Sequence, residues 1–190
     1  MKGGQAPNAP RTECIAPRTG GGFRAYFGYN NQNGIAVNIP RGSNNSFPQD
    51  TTNLRPTNFL PGNHPYVFAV NFNAGQTLSY KVVSPNGPTT QLTVNQNSPR
   101  CNVNDRTFIC ARKCEAEQAA ACGWNVSDCT LDCVLTYSFL APCESFFDTY
   151  NRCLATLPAS AFICDSPFAY DGSGTCDPQI NDLFTCLDGG

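Results

Sequence analysis

Histidine is almost missing from this chain: His64 is the one instance in 190 residues. That excludes multi-histidine metal centres and leaves a single candidate base for a serine or cysteine triad, with no further feature to support one. The tight Cys-x2-Cys knuckle of zinc ribbons is absent too. No apolar run approaches the roughly 20 residues of a membrane-spanning helix. There is no phosphate-cradling Gly-x-x-x-x-Gly-Lys, and Gly20-Gly21-Gly22 reads as a flexible turn before a strand. Acids are scarce in residues 1–101, where Glu13 and Asp50 stand alone, so that half offers no carboxylate pair for acid–base work. The basic residues are scattered arginines rather than a nucleic-acid-binding patch. The expectation is a non-enzyme with no cofactor, no bound metal, no nucleic-acid partner and no membrane span.

Cysteine, by contrast, is abundant, and its distribution divides the chain. Cys14 and Cys101 lie in the first 101 residues, and the other ten of the twelve follow. Charge divides at the same place. Eight Lys and Arg against two acids give the first part +6, while four against twelve give the remainder −8, a polarity hidden in the overall −2. The first part is rich in Asn, Thr, Gly and Pro, the second in Ala, Leu, Cys and Asp. Two compositions imply two folded units: a flexible segment 1–12, a β domain 13–101 and a disulfide-rich helical domain 102–190. An even cysteine count at this density belongs in an oxidising compartment. The protein is therefore expected to be secreted or displayed at a cell surface. The opening Met1-Lys2-Gly3-Gly4 lacks an apolar signal core, so the native precursor is expected to carry a signal peptide upstream.

Between Cys14 and Cys101 apolar residues alternate with period two, the mark of half-buried strands. Phe23, Ala25, Phe27 and Tyr29 line one run, and Ile35, Val37 and Ile39 another. Asn33-Gly34 between them predicts a hairpin. Tyr66, Phe68, Val70 and Phe72 alternate, then Leu78, Tyr80 and Val82, then Leu92 and Val94, with turns at 73–76 and 85–88. Short strands near Cys14 and at 57–60 bring the total to about seven, the spacing of an immunoglobulin-like or fibronectin-like sandwich. A Cys14–Cys101 bond would join its first and last strands. The irregular connection 41–65 is the natural place for a binding surface on such a scaffold.

In the second half Cys110 and Cys114 stand four apart, as do Cys129 and Cys133, which puts each pair on one helix face. Antiparallel helices then bond inner to inner, Cys114 to Cys129, and outer to outer, Cys110 to Cys133. Cys143 and Cys153, like Cys176 and Cys186, stand ten apart, just under three helical turns. The same geometry pairs Cys143 with Cys186 and Cys153 with Cys176, leaving Cys122 and Cys164 to join the two hairpins. Asn104 and Asp105 can open the first helix and Ser127-Asp128 the second, while Pro142 and Asp177-Pro178 begin the others. Phe146, Phe147, Tyr150, Leu154 and Leu157 supply one apolar stripe, and Ile180, Leu183, Phe184 and Leu187 another.

The cysteine spacings resemble the twin Cx3C and Cx9C hairpins of mitochondrial intermembrane-space proteins, a resemblance confined to the cysteines. A broader likeness rests on Ala25-Tyr26-Phe27-Gly28-Tyr29-Asn30-Asn31, on Phe59-Leu60-Pro61-Gly62-Asn63-His64 and on Ser98-Pro99-Arg100-Cys101. Together these resemble a β module of secreted and surface proteins of myxobacteria. That resemblance implies a fold and an extracellular place, without an activity.

Candidate contact residues are Tyr26, Tyr29, Asn44, Arg55, His64 and Tyr66, of which the tyrosines serve equally as core. His64 reads first as a loop histidine bonded to nearby backbone. Trp124 reads as a packing residue. Asp165, Asp171 and Asp177 lack the alternating oxygen ligands of a calcium loop. Asn44-Asn45-Ser46 and Asn125-Val126-Ser127 fit the glycosylation triplet. The expected function is an extracellular structural protein that associates with itself head to tail, since a +6 module attracts a −8 module. The alternatives are an adhesion module for a glycan or a surface protein, and a secreted inhibitor or effector.

Overall fold

The computed structural model describes residues 8–85, 87–123, 125–165 and 168–189. The chain is mixed α+β and falls into two compact units, residues 1–101 and 102–190. Six disulfide pairs are formed and every cysteine is engaged.

The first unit begins with β1 (Asn8–Pro17) and β2 (Phe23–Asn31), followed by β3 (Val37–Asn38), β4 (Asn45–Ser46) and β5 (Asn58–Phe59). Three longer strands complete it: β6 (Gly62–Phe72), β7 (Leu78–Val83) and β8 (Thr89–Val94). One antiparallel sheet has the order β1-β2-β6, a second β4-β7-β8, and β3 pairs with β5 alone. The period-two residues of both larger sheets meet in one interior. Ile15, Ala25, Phe27, Phe68, Val70, Leu78, Tyr80, Val82 and Val94 belong to a single buried cluster. Phe27 stacks on Phe68 at 5.0 Å between centroids and meets Phe47 and Tyr80 edge-on. Such pairs add about 0.5–1.5 kcal/mol each beyond burial. Cys14 and Cys101 bond across a separation of 87 residues, beside the backbone bond from Cys101 N–H to the Ile15 carbonyl.

Two expectations for this unit are corrected. The segment 8–12 is not a flexible leader but the start of β1, in register with β2 from Asn8 opposite Asn31; residues 1–7 lie outside the described residues. The hairpin expected between 23–29 and 35–39 does not form. Both edges of β2 are occupied, by β1 and β6, so Val37 and Asn38 pair with Phe59 and Asn58 instead. Buried Asn31 makes the break: its amide donates to the carbonyls of Ile35 at 3.0 Å and Phe59 at 2.8 Å, and its side-chain oxygen accepts from Asn33 N–H. Ile35 is left two-thirds exposed. Gly28 is required where β2 shifts register, because a Cβ there would lie 2.5 Å from the His64 carbonyl and against the Glu13 carboxylate.

The second unit carries α1 (Arg106–Ala119), α2 (Val126–Phe139), α3 (Glu144–Leu154) and α4 (Asp177–Asp188). Between α3 and α4 runs a hairpin of β9 (Phe162–Asp165) and β10 (Phe168–Asp171) that the cysteine spacing did not anticipate. Asp105 caps α1 by accepting from the Thr107 and Phe108 amides. The second helix opens two residues earlier than expected, with Asn125 as its cap accepting from Asp128 N–H at 2.9 Å. Cys110 bonds Cys133 and Cys114 bonds Cys129 between α1 and α2. Cys143–Cys186 and Cys153–Cys176 tie the α3 and α4 segments, and Cys122 joins Cys164 of β9. The apolar stripes are only partly covered. Leu154, Leu157 and Leu183 are buried, whereas Phe146, Phe184 and Leu187 are exposed, since four short helices stapled at their cysteines enclose little volume. No helix among the described residues is long and apolar enough to cross a membrane.

A candidate recognition cleft in the second unit

The candidate contact residues of the first unit are not assembled into a surface. Of the two roles open to Tyr26, Tyr29 and Tyr66, the structure gives the core one: all three are buried and none offers a contact surface. Tyr26 packs edge-on against Tyr66, whose hydroxyl lies 3.9 Å from the Cys14 sulfur. The Tyr29 hydroxyl accepts from Leu60 N–H at 2.9 Å, and its ring stacks on His64. Tyr29 follows Ala25 and Phe27 into the main core, whereas Tyr26 and Tyr66 lie outside that cluster and cover each other beside Cys14. His64 stands at the start of β6, half-buried, with Nε2 3.0 Å from the Pro61 carbonyl. Trp124 lies outside the described residues.

The connection 41–65 is largely exposed but is pinned to the core at buried Asn45, Phe47, Asp50, Arg55 and Phe59. Arg55, one of the contact candidates, is buried in an ion pair with Asp50 at 2.9 Å. The Asp50 carboxylate also accepts from the amides of Leu54 and Arg55 and the hydroxyl of Thr52. Burial raises the Asp50 pKa, but these bonds, led by those from Arg55, outweigh it and hold the group below its ordinary value. Buried Asn45 donates to the carbonyls of Ile39 and Pro56, closing the loop on itself. Asn44 remains exposed beside a hollow of about 450 Å³ under residues 38–44 and 83–85.

The more chemically furnished cavity belongs to the second unit, a cleft of about 420 Å³ between α1, α2, α3 and β10. Lys113 and Glu117 reach it from α1, and Asp132 and Thr136 from α2. Phe147, Tyr150, Asn151 and Leu154 of α3 and Ala169 of β10 complete the lining, with Cys129 and Cys133 at the base. Glu117 is 1% exposed. Its Oε1 lies 2.9 Å from Lys113 Nζ, close enough for an ion pair though not aligned as a hydrogen bond. Its Oε2 lies 3.4 Å from the Cys129 sulfur, which is oxidised and has no proton to donate. Burial raises the Glu117 pKa and the Lys113 charge offsets only part of that. Burial raises the Tyr150 pKa as well, reinforced by the negative charges of Asp171, Glu117 and Asp177. The cleft is thus lined largely by apolar side chains, with two acids, Glu117 and Asp132, against one cation, Lys113.

Among the described residues one metal-sized cluster occurs, Cys114, Glu117 and Cys129, with ligand atoms within 4.8 Å of one another. Two of its three atoms are bonded to each other as a disulfide, so no thiolate is available there. Asp171 is committed to the backbone, accepting from Ser173 N–H at 2.8 Å and Cys176 N–H at 2.6 Å to lead into α4. Asn125 is likewise occupied as a helix cap, although exposed.

Glu117 and Asp132 were not singled out from sequence. Glu117 had a readable signal: it lies seven residues after Cys110 and three after Cys114, on the buried cysteine face of α1, where a carboxylate is out of place. Asp132 had none, since its neighbours across the cleft come from α3. No known protein family matches the chain, and no characterised protein or solved structure is similar to it.

Proposed function

We propose that this chain is a non-catalytic, extracellular structural protein that associates with copies of itself head to tail. Its first unit is read as an immunoglobulin- or fibronectin-like sandwich and its second as a stapled pair of helical hairpins, the arrangement expected of a secreted or surface protein. The supporting observation is that charge segregation survives internal pairing. Arg11–Glu13 and Arg55–Asp50 use both acids of the first unit. Arg106–Glu144, Lys113–Glu117 and Arg152–Asp148 use three of the four cations of the second. Each pair removes one charge of each sign, so the units keep their +6 and −8. Exposed Arg18, Arg41 and Arg100 face no acid of their own unit, while Asp128, Asp132, Asp165, Asp182 and Asp188 stand exposed on the other. Opposite fields on one molecule favour a heterologous contact that extends rather than closes. Six disulfides suit an assembly that persists in an oxidising environment.

Sedimentation velocity across a salt series tests the reading. Association should be strongest at low ionic strength and fall as the screening length shortens to about 10 Å near 0.1 M salt. A monomer at every salt and protein concentration would remove it.

A further inference from the structure

We propose that the cleft of the second unit receives the guanidinium of Arg18 from a second copy of the chain, so that this insertion is the contact through which the copies join. The inference rests on the self-association reading and supplies its missing surface. The charged groups of the cleft are Glu117 and Asp132 against Lys113, a net −1 that a single cation neutralises. Glu117 has a side chain only 2% exposed and no aligned hydrogen-bond donor on Oε1. Glu117 is sealed beneath the cleft and paired with Lys113, which leaves Asp132 as the carboxylate an incoming group can reach. The Asp132 carboxylate, exposed at the rim, has no ion pair or hydrogen bond among the described residues. Phe147 and Tyr150 add ring faces, on which a planar guanidinium stacks better than a compact ammonium. A guanidinium can pair in fork geometry with the exposed Asp132 carboxylate while lying against the aromatic side chains that line the cleft.

Arg18 is the group on the first unit suited to enter. It sits in the turn between β1 and β2, closed by Gly21 N–H to the Arg18 carbonyl at 3.1 Å and Arg18 N–H to the Gly22 carbonyl at 3.2 Å. Gly20 and Gly21 adopt left-handed φ of +88° and +98°, with nothing within 4 Å of either Cβ position, so the turn projects into open space. The other arginines of this unit are occupied: Arg11 by Glu13, Arg24 by Asn71, Arg41 by the Asn53 and Arg55 carbonyls, Arg55 by Asp50 and Arg100 over the Phe23 ring. Arg18 is exposed and its guanidinium has no partner among the described residues. Charge complementarity and an unoccupied arginine on a projecting turn therefore select a second copy as the occupant.

A charge swap in the full-length chain tests the contact. Arg18→Glu and Asp132→Arg, each at an exposed position, should weaken association about tenfold or more at low salt, as loss of one member of a close charge pair does. The double variant R18E/D132R should recover most of it. Far-ultraviolet circular dichroism identical to wild type shows that the variants remain folded. If wild type associates but the single variants associate equally well, or the double variant fails to recover, the Arg18 contact is overturned while self-association stands. If wild type itself never associates, both readings fall.

Discussion

The two units solve the problem of staying folded by different means. The first buries an aromatic and aliphatic interior in which fifteen residues form one continuous cluster spanning both sheets. The second, among its described residues, has three small clusters of five, three and three buried members, and five of those eleven are cysteines. A domain that excludes water over a continuous interior gains stability with each apolar group it covers. One too small to do so depends on covalent links that limit its unfolded states. The difference extends to ionisable groups. Buried Asp50 in the first unit is supplied with donors by its own loop, whereas buried Glu117 in the second has one lysine and a disulfide sulfur. The first unit thus holds its buried ion pair within a loop of its own, and the second holds its buried carboxylate with one lysine at the base of an open cleft.

The comparison is most easily broken by reduction. A thiol reductant under otherwise native conditions should abolish the helices of residues 102–190 while the amides of β2, β6 and β7 stay protected, as followed by hydrogen exchange resolved along the chain. Simultaneous loss of protection in both units would show that the first depends equally on sulfur. Within the first unit, replacing Cys14 and Cys101 together by serine should cost about 4–5 kcal/mol, the loop-closure contribution of a bridge spanning most of the unit, yet leave it folded. Denaturant unfolding monitored on that unit supplies the number.

Asp50→Ala should destabilise the first unit by about 3–5 kcal/mol, because it leaves Arg55 buried without its partner. A loss below about 1 kcal/mol would mean that the 41–65 loop is not held from within.

Acid and base should then separate the units. Asp50 titrates below its ordinary range when folded, so its stabilisation is present above the unfolded pKa and is lost as pH falls through the folded one. Glu117 titrates above its ordinary range, so the second unit has its full contribution below the unfolded pKa and loses it as pH rises through the folded one. Unit-resolved hydrogen exchange from acid to neutral pH should show opposite slopes, and Glu117→Gln should flatten that of the second unit. The smallest effect tests a local detail: Asn125→Ala should remove the cap of α2 at about 1 kcal/mol, detectable in the exchange rates of its first turn.

Much of the architecture was legible because its causes are local. Alternation marks strands at 23–29, 66–72 and 78–82, since a pleated backbone turns every second side chain the same way. Cysteines four and ten apart arrange antiparallel helices because both spacings return to nearly the same helix face, and the structure joins those cysteines in that arrangement. The candidate contact surface was not legible in the same way. Aromatic residues read alike in a core or on a face until both sheets are present, and the β2–β3 hairpin signal at Asn33-Gly34 lost to β6, a competitor some thirty residues downstream.

The amino-acid sequence by itself thus determined the boundary near residue 101, the two opposite charges, the oxidising environment and the strand and helix periods, all of which follow from composition or short-range geometry. The tertiary structure alone decided which strand lies beside β2, that Tyr26, Tyr29 and Tyr66 are buried, and that Lys113, Glu117, Asp132 and Tyr150 share a cleft. Those outcomes depend on distant segments competing for the same hydrogen-bonding edges and the same buried volume, and that competition is settled only when the whole chain is folded.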